Sequence, residues 1–174
     1  GLAFYDEMKI SGTPWILVGI DNNFTSQQRS KDILSRFVKD RYLTEVTYRP
    51  ANYQKQADSK YGLEHYIVPL KDPKTDVPYD FGHLDDHLHD LFILRDKVGD
   101  IQTYMVCYIP TDVPNPPCRH KFFIRENGLD IVVSLNYSRH RLYDWHKIEQ
   151  EVRKVMFDFV QNAQSNPIEP MKNK

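Results

Sequence analysis

Three histidines and three aspartates lie close together in residues 81–92, which read FGHLDDHLHDLF. The imidazoles and carboxylates belong to His83, His87, His89, Asp85, Asp86 and Asp90. Imidazole and carboxylate groups are ligands for zinc. One hypothesis for function is therefore a metal-dependent hydrolase that uses His83, His87 and His89.

The spacing of these histidines argues against a metal centre. Zinc hydrolases of the β-lactamase type carry the pattern HxHxDH, whereas here Asp90 directly follows His89 and no second histidine follows the acid. On a helix, His83 and His87 would share one face and His89 would point elsewhere. Residues 71–100 contain eight aspartates against four basic residues. We therefore favour a solvated acidic segment and predict no metal and no cofactor.

A second stretch, YSRHRLYDWH at residues 137–146, combines basic and aromatic side chains, as nucleic-acid-binding patches do. The whole chain holds 23 basic and 24 acidic residues, so its net charge of −1 does not favour a nucleic acid partner. His140, His146 and Asp144 could do acid–base chemistry, but no nucleophile motif accompanies them. The motifs GxSxG and HExxH and a glycine-rich phosphate loop are absent. We do not predict an enzyme.

The first half of the chain predicts strands around one helix. Residues 15–20 are apolar and rich in β-branched side chains, which indicates a buried strand. Thr25 and Gln28 resemble a capping box, and apolar residues at helical spacing predict a helix over about 26–40. Two further strands are predicted over residues 43–49 and 62–70.

Two hairpins are predicted in the second half. Residues 91–94 and 101–108 flank a polar loop, and residues 119–125 and 129–137 surround Asn127-Gly128, a dipeptide that suits a tight turn. In the last of these strands alternate residues fall on one face, which should meet the core: Ile131, Val133, Leu135 and Tyr137.

The final element is an amphipathic helix, predicted over about 144–161 with Asp144 as its N-cap. Its apolar stripe consists of Trp145, Ile148, Val152, Val155, Met156 and Phe159. Because strands and helices alternate irregularly, we predict an α+β fold with a mostly antiparallel sheet, this C-terminal helix packed across it and one N-terminal helix. Residues 1–164 should form one domain, and residues 165–174 a polar, frayed tail.

The two cysteines of the chain, Cys107 and Cys118, end one predicted strand and begin the next, on either side of a proline-rich loop. A disulfide there would staple the two strand ends and would indicate a compartment outside the reducing cytosol. Two free thiols, one of them buried like a small apolar residue, are the alternative. The placement favours the bridge.

Four stretches resemble the immunity proteins that neutralise antibacterial effectors of type VI secretion, especially the periplasmic kind that guards against lipase and cell-wall effectors. They are ADSKYGLEHY at 57–66, LHDLFILRDKVGDIQTYMVC at 88–107, NPPCRHKF at 115–122 and VVSLNYSRHRLYDWHKIEQEVRKVMFDF at 132–159. The shared features are a strand that ends in cysteine, an N-x-x-C-x-H-x-F step and a closing helix that begins with tryptophan.

The resemblance implies a protein that binds its toxin stoichiometrically and blocks the active site, with Cys107 and Cys118 as a structural bridge. It also implies a periplasmic setting with an N-terminal signal or membrane anchor, which the start of the chain at Gly1 fits. Charge suggests the contact: the acidic residues Asp80, Asp85, Asp86 and Asp90 would meet a basic cleft of the toxin. The competing hypotheses are the metal-dependent hydrolase and a structural subunit of a cell-envelope assembly.

Overall fold

The computed structural model describes residues 16–21, 32–45, 51–80, 89–109, 115–126 and 129–165. The strands are β1 (Leu17–Asp21), β2 (Gln54–Lys55), β3 (Glu64–Ile67), β4 (His89–Arg95), β5 (Ile101–Tyr108), β6 (Pro117–Ile124) and β7 (Ile131–Ser138). The helices are α1 (Ile33–Val38), which continues as a π-helical segment (Lys39–Leu43), a 3₁₀ helix (Arg139–Asp144) and α2 (Trp145–Ser165). Within these residues, no helix is long and apolar enough to cross a membrane.

The seven strands form one antiparallel sheet in the order β1-β7-β6-β5-β4-β3-β2. Strands β2 to β7 follow one another as a meander, and β1 pairs with β7 at the far edge. Both predicted hairpins are confirmed, since β4 pairs with β5 and β6 pairs with β7. The Asn127-Gly128 turn itself lies outside the described residues. The predicted α+β fold is confirmed.

The sheet carries a hydrophobic core on each face. Helix α2 covers one face, where the predicted inward residues Val133, Leu135 and Tyr137 are buried and Ile131 packs beside them. Helix α1 covers the other face through Ile33, Leu34 and Val38. Because successive strand residues point to opposite faces, Val132 belongs to the second core while its neighbours belong to the first.

The prediction that the first strand is buried is wrong. In β1 the side chains of Leu17, Val18 and Ile20 are about half exposed. The run is apolar enough for an interior strand, but among the described strands β1 lies at an edge with β7 as its one neighbour, and an edge strand can be apolar and still face water.

The helix predicted over about 26–40 is described from Asp32 onward, because residues 26–31 lie outside the described residues. It begins at Ile33 and ends, through the π-helical segment, at Leu43. The proposed strand at 43–49 is wrong at residues 43–45, since Leu43 ends the π-helical segment and neither Thr44 nor Glu45 is in a strand. Residues 46–49 lie outside the described residues, as does the Thr25–Gln28 capping box.

Helix α2 extends to Ser165, beyond the predicted end at about residue 161, and Asp144, the predicted N-cap, directly precedes its first residue, Trp145. Asp144 belongs to the preceding 3₁₀ helix, whose own cap is Ser138, with the hydroxyl accepting the backbone N–H of His140 at 3.4 Å. Along the predicted stripe, Trp145 and Ile148 are buried and Val152 and Met156 pack against the core. Val155 and Phe159, in contrast, are exposed, so the second half of the stripe lacks a full cover.

Candidate partner-binding surface

The four aspartates proposed as a contact do not form one exposed group. Asp80 is exposed, and Asp85 and Asp86 lie outside the described residues. Asp90, at the start of β4, is buried, and its carboxylate accepts a hydrogen bond from the guanidinium of Arg139. Arg139 also donates to the carbonyl of Tyr108 at 2.8 Å. Asp90 is therefore a structural ion-pair partner, and its assignment to a surface contact is corrected.

The histidines that suggested a metal centre are only partly within the described residues. His83 and His87 lie outside them. His89 begins β4, and its ring meets the ring of Tyr108 edge to face at 4.2 Å between centroids. Within the described ranges no group of three or more His, Cys, Asp or Glu side chains is arranged to hold a metal ion.

Cys107 and Cys118 face each other across β5 and β6 and are joined by a disulfide. Both are completely buried beneath α2. The bond therefore ties the two strands at the end from which the proline-rich loop departs.

Replacing both cysteines by alanine is expected to lower the free energy of unfolding by about 2–3 kcal/mol, because the unfolded chain gains the freedom that an 11-residue link removes. Urea titration of the double variant and of wild type checks this. Wild-type protein in reductant serves as the control and should match the variant. Two reactive thiols in unfolded, untreated wild type would contradict the bridge.

A buried polar network joins α2 to the sheet. His120, on β6, is wholly buried and its Nε2 lies 2.7 Å from the Thr103 hydroxyl and 3.2 Å from the carboxylate of Glu149 on α2. The Thr103 hydroxyl donates to the carbonyl of Lys121, so its oxygen and the Glu149 carboxylate share the Nε2 proton of His120. The Nδ1 atom then accepts the phenolic proton of Tyr137 at 3.2 Å.

Arg153 completes this network. Its guanidinium donates to one carboxylate oxygen of Glu149 at 2.7 and 3.0 Å and to the carbonyl of Phe123 at 2.7 Å. The same group lies over the ring of Phe122, 4.8 Å from its centroid. Helix α2 is therefore fixed to β6 by charged hydrogen bonds as well as by apolar packing.

Burial sets the charge state of the network. Burial lowers the pKa of His120, and the hydrogen bond with Glu149 offsets this only in part, so the imidazole is neutral at neutral pH. Burial alone would raise the pKa of Glu149, but the hydrogen bonds from His120 and Arg153 outweigh it and hold that pKa below its usual value. The network is thus a neutral histidine beside a carboxylate–guanidinium pair.

Sequence reasoning missed this network, although a signal was present. Cys118, His120, Phe122 and Ile124 alternate along β6 and all face the core. A histidine in such a row needs a polar partner from the covering element, and Glu149 and Arg153 are spaced four apart on the helix that follows.

An apolar groove lies between β1 and α2. It has a volume of about 490 Å³. Its apolar lining comprises Val18 and Ile20 from β1, Ile16 just before β1, and Ile148, Val152, Val155, Met156 and Phe159 from α2. Phe159 is 65% exposed and Ile20 is 54% exposed. Exposed apolar side chains gathered in this way mark a surface for a partner.

Charged side chains line the groove as well and alternate in sign along the chain: Arg141, Asp144, Lys147 and Glu151. The outer edge of β1 adds backbone groups that no strand of the described sheet pairs with. We call this surface, lined by the apolar and charged residues just named, the β1–α2 groove. It offers apolar contact area, charges that can fix the register of a bound segment, and a strand edge that is unpaired in the described sheet.

No protein-family model and no curated protein matches the sequence. Among solved structures, the chain is similar to an immunity protein of the Stenotrophomonas maltophilia type IV secretion system, with a TM-score of 0.55 and 19% sequence identity. The match covers 81% of this chain and 67% of that protein. The chain shares its fold with that protein. At this identity the likeness establishes the fold, and the surface that either protein uses is a separate question.

Proposed function

We propose that this protein is an immunity protein that binds a cognate antibacterial toxin stoichiometrically and occludes its active site. The observation that carries the proposal is the β1–α2 groove, an apolar surface that the described residues leave open on a fold that a solved immunity protein shares. Its function is binding rather than catalysis.

The groove's proposed occupant is an extended, apolar segment of the toxin. Such a segment would place its apolar side chains between Val18 and Phe159 and would pair its backbone with the outer edge of β1. The alternating charges of Arg141, Asp144 and Lys147 would meet charges of opposite sign on the toxin, which sets the register of the segment. Asp80, Asp85 and Asp86 stay in the proposal as charges that speed association with a basic toxin surface.

The proposed compartment is the periplasm, with a signal or membrane anchor preceding the chain. The disulfide supports it, since such bonds persist outside the reducing cytosol. The sequence resemblance favours a toxin of type VI secretion that acts on lipid or cell wall, whereas the protein of similar fold belongs to a type IV system. We therefore propose the toxin-neutralising role without assigning the toxin to one type of secretion system.

The proposal is tested with the secreted effector encoded beside this gene. The effector is sent to the periplasm of a sensitive bacterial host together with this protein, carrying a signal peptide or lacking one. We expect the exported form to restore colony counts by at least about 100-fold and the retained form to give no protection. Purified protein and effector should titrate to one-to-one saturation in calorimetry.

Two outcomes would contradict the proposal in different ways. Equal protection by the retained form would overturn the periplasmic setting alone. Failure to bind or protect against any effector of its own locus would overturn the immunity function.

A further inference from the structure

A strained tyrosine forms the tip of the hairpin between β2 and β3. Lys60 and Leu63 exchange two backbone hydrogen bonds, each 3.0 Å long, so Tyr61 and Gly62 are the two central residues of a tight turn. Both have positive φ angles, +57° at Tyr61 and +78° at Gly62. Glycine adopts this conformation freely, but a residue with a bulky side chain is strained there, and asparagine, aspartate or glycine is the usual choice at the first position.

The turn is held rigidly despite the strain. The indole Nε1–H of Trp145, the first residue of α2, donates to the carbonyl of Tyr61 at 3.0 Å. Leu63, the last residue of the turn, is completely buried in the core beneath α2. The backbone at Tyr61 is therefore fixed by both the sheet and the helix.

The aromatic ring of Tyr61 is partly open to solvent. The residue is 44% exposed, and Lys60 Nζ approaches its ring to 5.6 Å from the centroid. An exposed contact of this kind is weak. Glycine or asparagine would adopt the φ angle of position 61 with less strain, so the requirements of the turn do not explain the tyrosine there.

We propose that Tyr61 is an anchor residue that inserts into a concave apolar pocket of the toxin; this rests on the proposed function. A strained backbone conformation that the surrounding structure enforces is characteristic of functional sites. A tyrosine with few rotatable bonds on a rigid turn loses little entropy on binding, and tyrosine is enriched among residues that dominate binding energy. Its attachment through Trp145 links this contact to α2, which also lines the β1–α2 groove.

Tyr61→Gly and Tyr61→Asn test the inference because stability and binding should move in opposite directions. Both variants should raise the midpoint of thermal unfolding by about 2–4 °C, since they relieve the strained turn. Both should weaken binding of the effector identified by the protection assay by at least about 30-fold. Scanning calorimetry and titration calorimetry measure the two quantities.

Asp76→Gly is the matched control. Asp76 also has a positive φ, +56°, and its side chain is 85% exposed. Glycine at this position should leave the melting temperature unchanged or slightly higher, because aspartate tolerates a positive φ better than tyrosine does. The affinity for the effector should stay at the wild-type value.

Three other results would contradict parts of this proposal. Wild-type affinity in Tyr61→Asn would overturn the anchor role and leave the immunity function standing. A lower melting temperature in Tyr61→Gly would overturn the claim that the turn is strained. An effector that does not bind wild-type protein would overturn the proposed function and the anchor role together.

Discussion

Phe159→Asp should weaken toxin binding by at least about 30-fold while changing the free energy of unfolding by less than about 0.5 kcal/mol. Phe159 lines the β1–α2 groove and is 65% exposed, so its ring is available to a partner and contributes little to the core. A carboxylate in that position would be desolvated on binding without a partner, which costs far more than the lost apolar contact. Titration calorimetry against the effector and urea unfolding measure the two effects.

Val98→Asp is the control for this prediction. Val98 is 83% exposed and lies in the loop between β4 and β5, and it is not among the groove residues. The same new charge should leave toxin affinity unchanged. Equal affinities for wild type and Phe159→Asp would remove the groove from the binding surface. If sedimentation shows instead that wild type dimerises and Phe159→Asp does not, the groove is an interface between two copies of this chain.

Arg153→Met should lower the free energy of unfolding by about 3 kcal/mol, the largest effect on stability that we expect from one substitution. The change leaves the carboxylate of Glu149, which is buried against His120, without its cationic partner. An unpaired buried charge typically costs about 3–5 kcal/mol, and we take the lower value because the Arg153 side chain is a quarter exposed. Urea unfolding at neutral pH measures the loss.

The double variant Arg153→Met with Glu149→Leu separates charge from packing. Because it removes the unpaired carboxylate of Glu149, the double variant should be more stable than Arg153→Met alone. Lys154→Met, at the next and exposed position of α2, should stay within about 0.5 kcal/mol of wild type. If the single and double variants are equally unstable, Arg153 acts through packing on Phe122 and not through Glu149.

Local patterns in the sequence predicted most of the sheet. Alternation in residues 129–137 and the turn dipeptide at 127–128 located β6 and β7, because side-chain period and turn chemistry are local properties. The pairing of β1 with β7 joins residues more than 100 positions apart, and no local pattern in the chain specifies such a partner. The apolar run at 15–20, taken alone, therefore predicts an interior strand.

The candidate site was harder to predict than the fold. The apolar stripe from Trp145 to Phe159 correctly located α2. It could not show that Val155 and Phe159 remain exposed, because burial of these side chains depends on how far β1 and its neighbouring strands extend along the helix. Asp90 was assigned to the surface by its charged neighbours in sequence, yet Arg139, 49 residues away, holds it in the interior. Burial of a charge is decided by such distant partners.

The position of β1 also constrains how the chain is made. Its partner β7 ends at Ser138, so the ribosome must add well over 100 further residues before Leu17 can meet Asn136. Until then β1 lacks the strand with which it pairs in the described sheet, whereas each strand of the meander can pair with the one synthesised just before it. A nascent or translocating chain therefore carries an unpaired apolar segment at residues 17–21 until β7 has been made, and a holdase chaperone that shields this segment should raise the yield of folded protein.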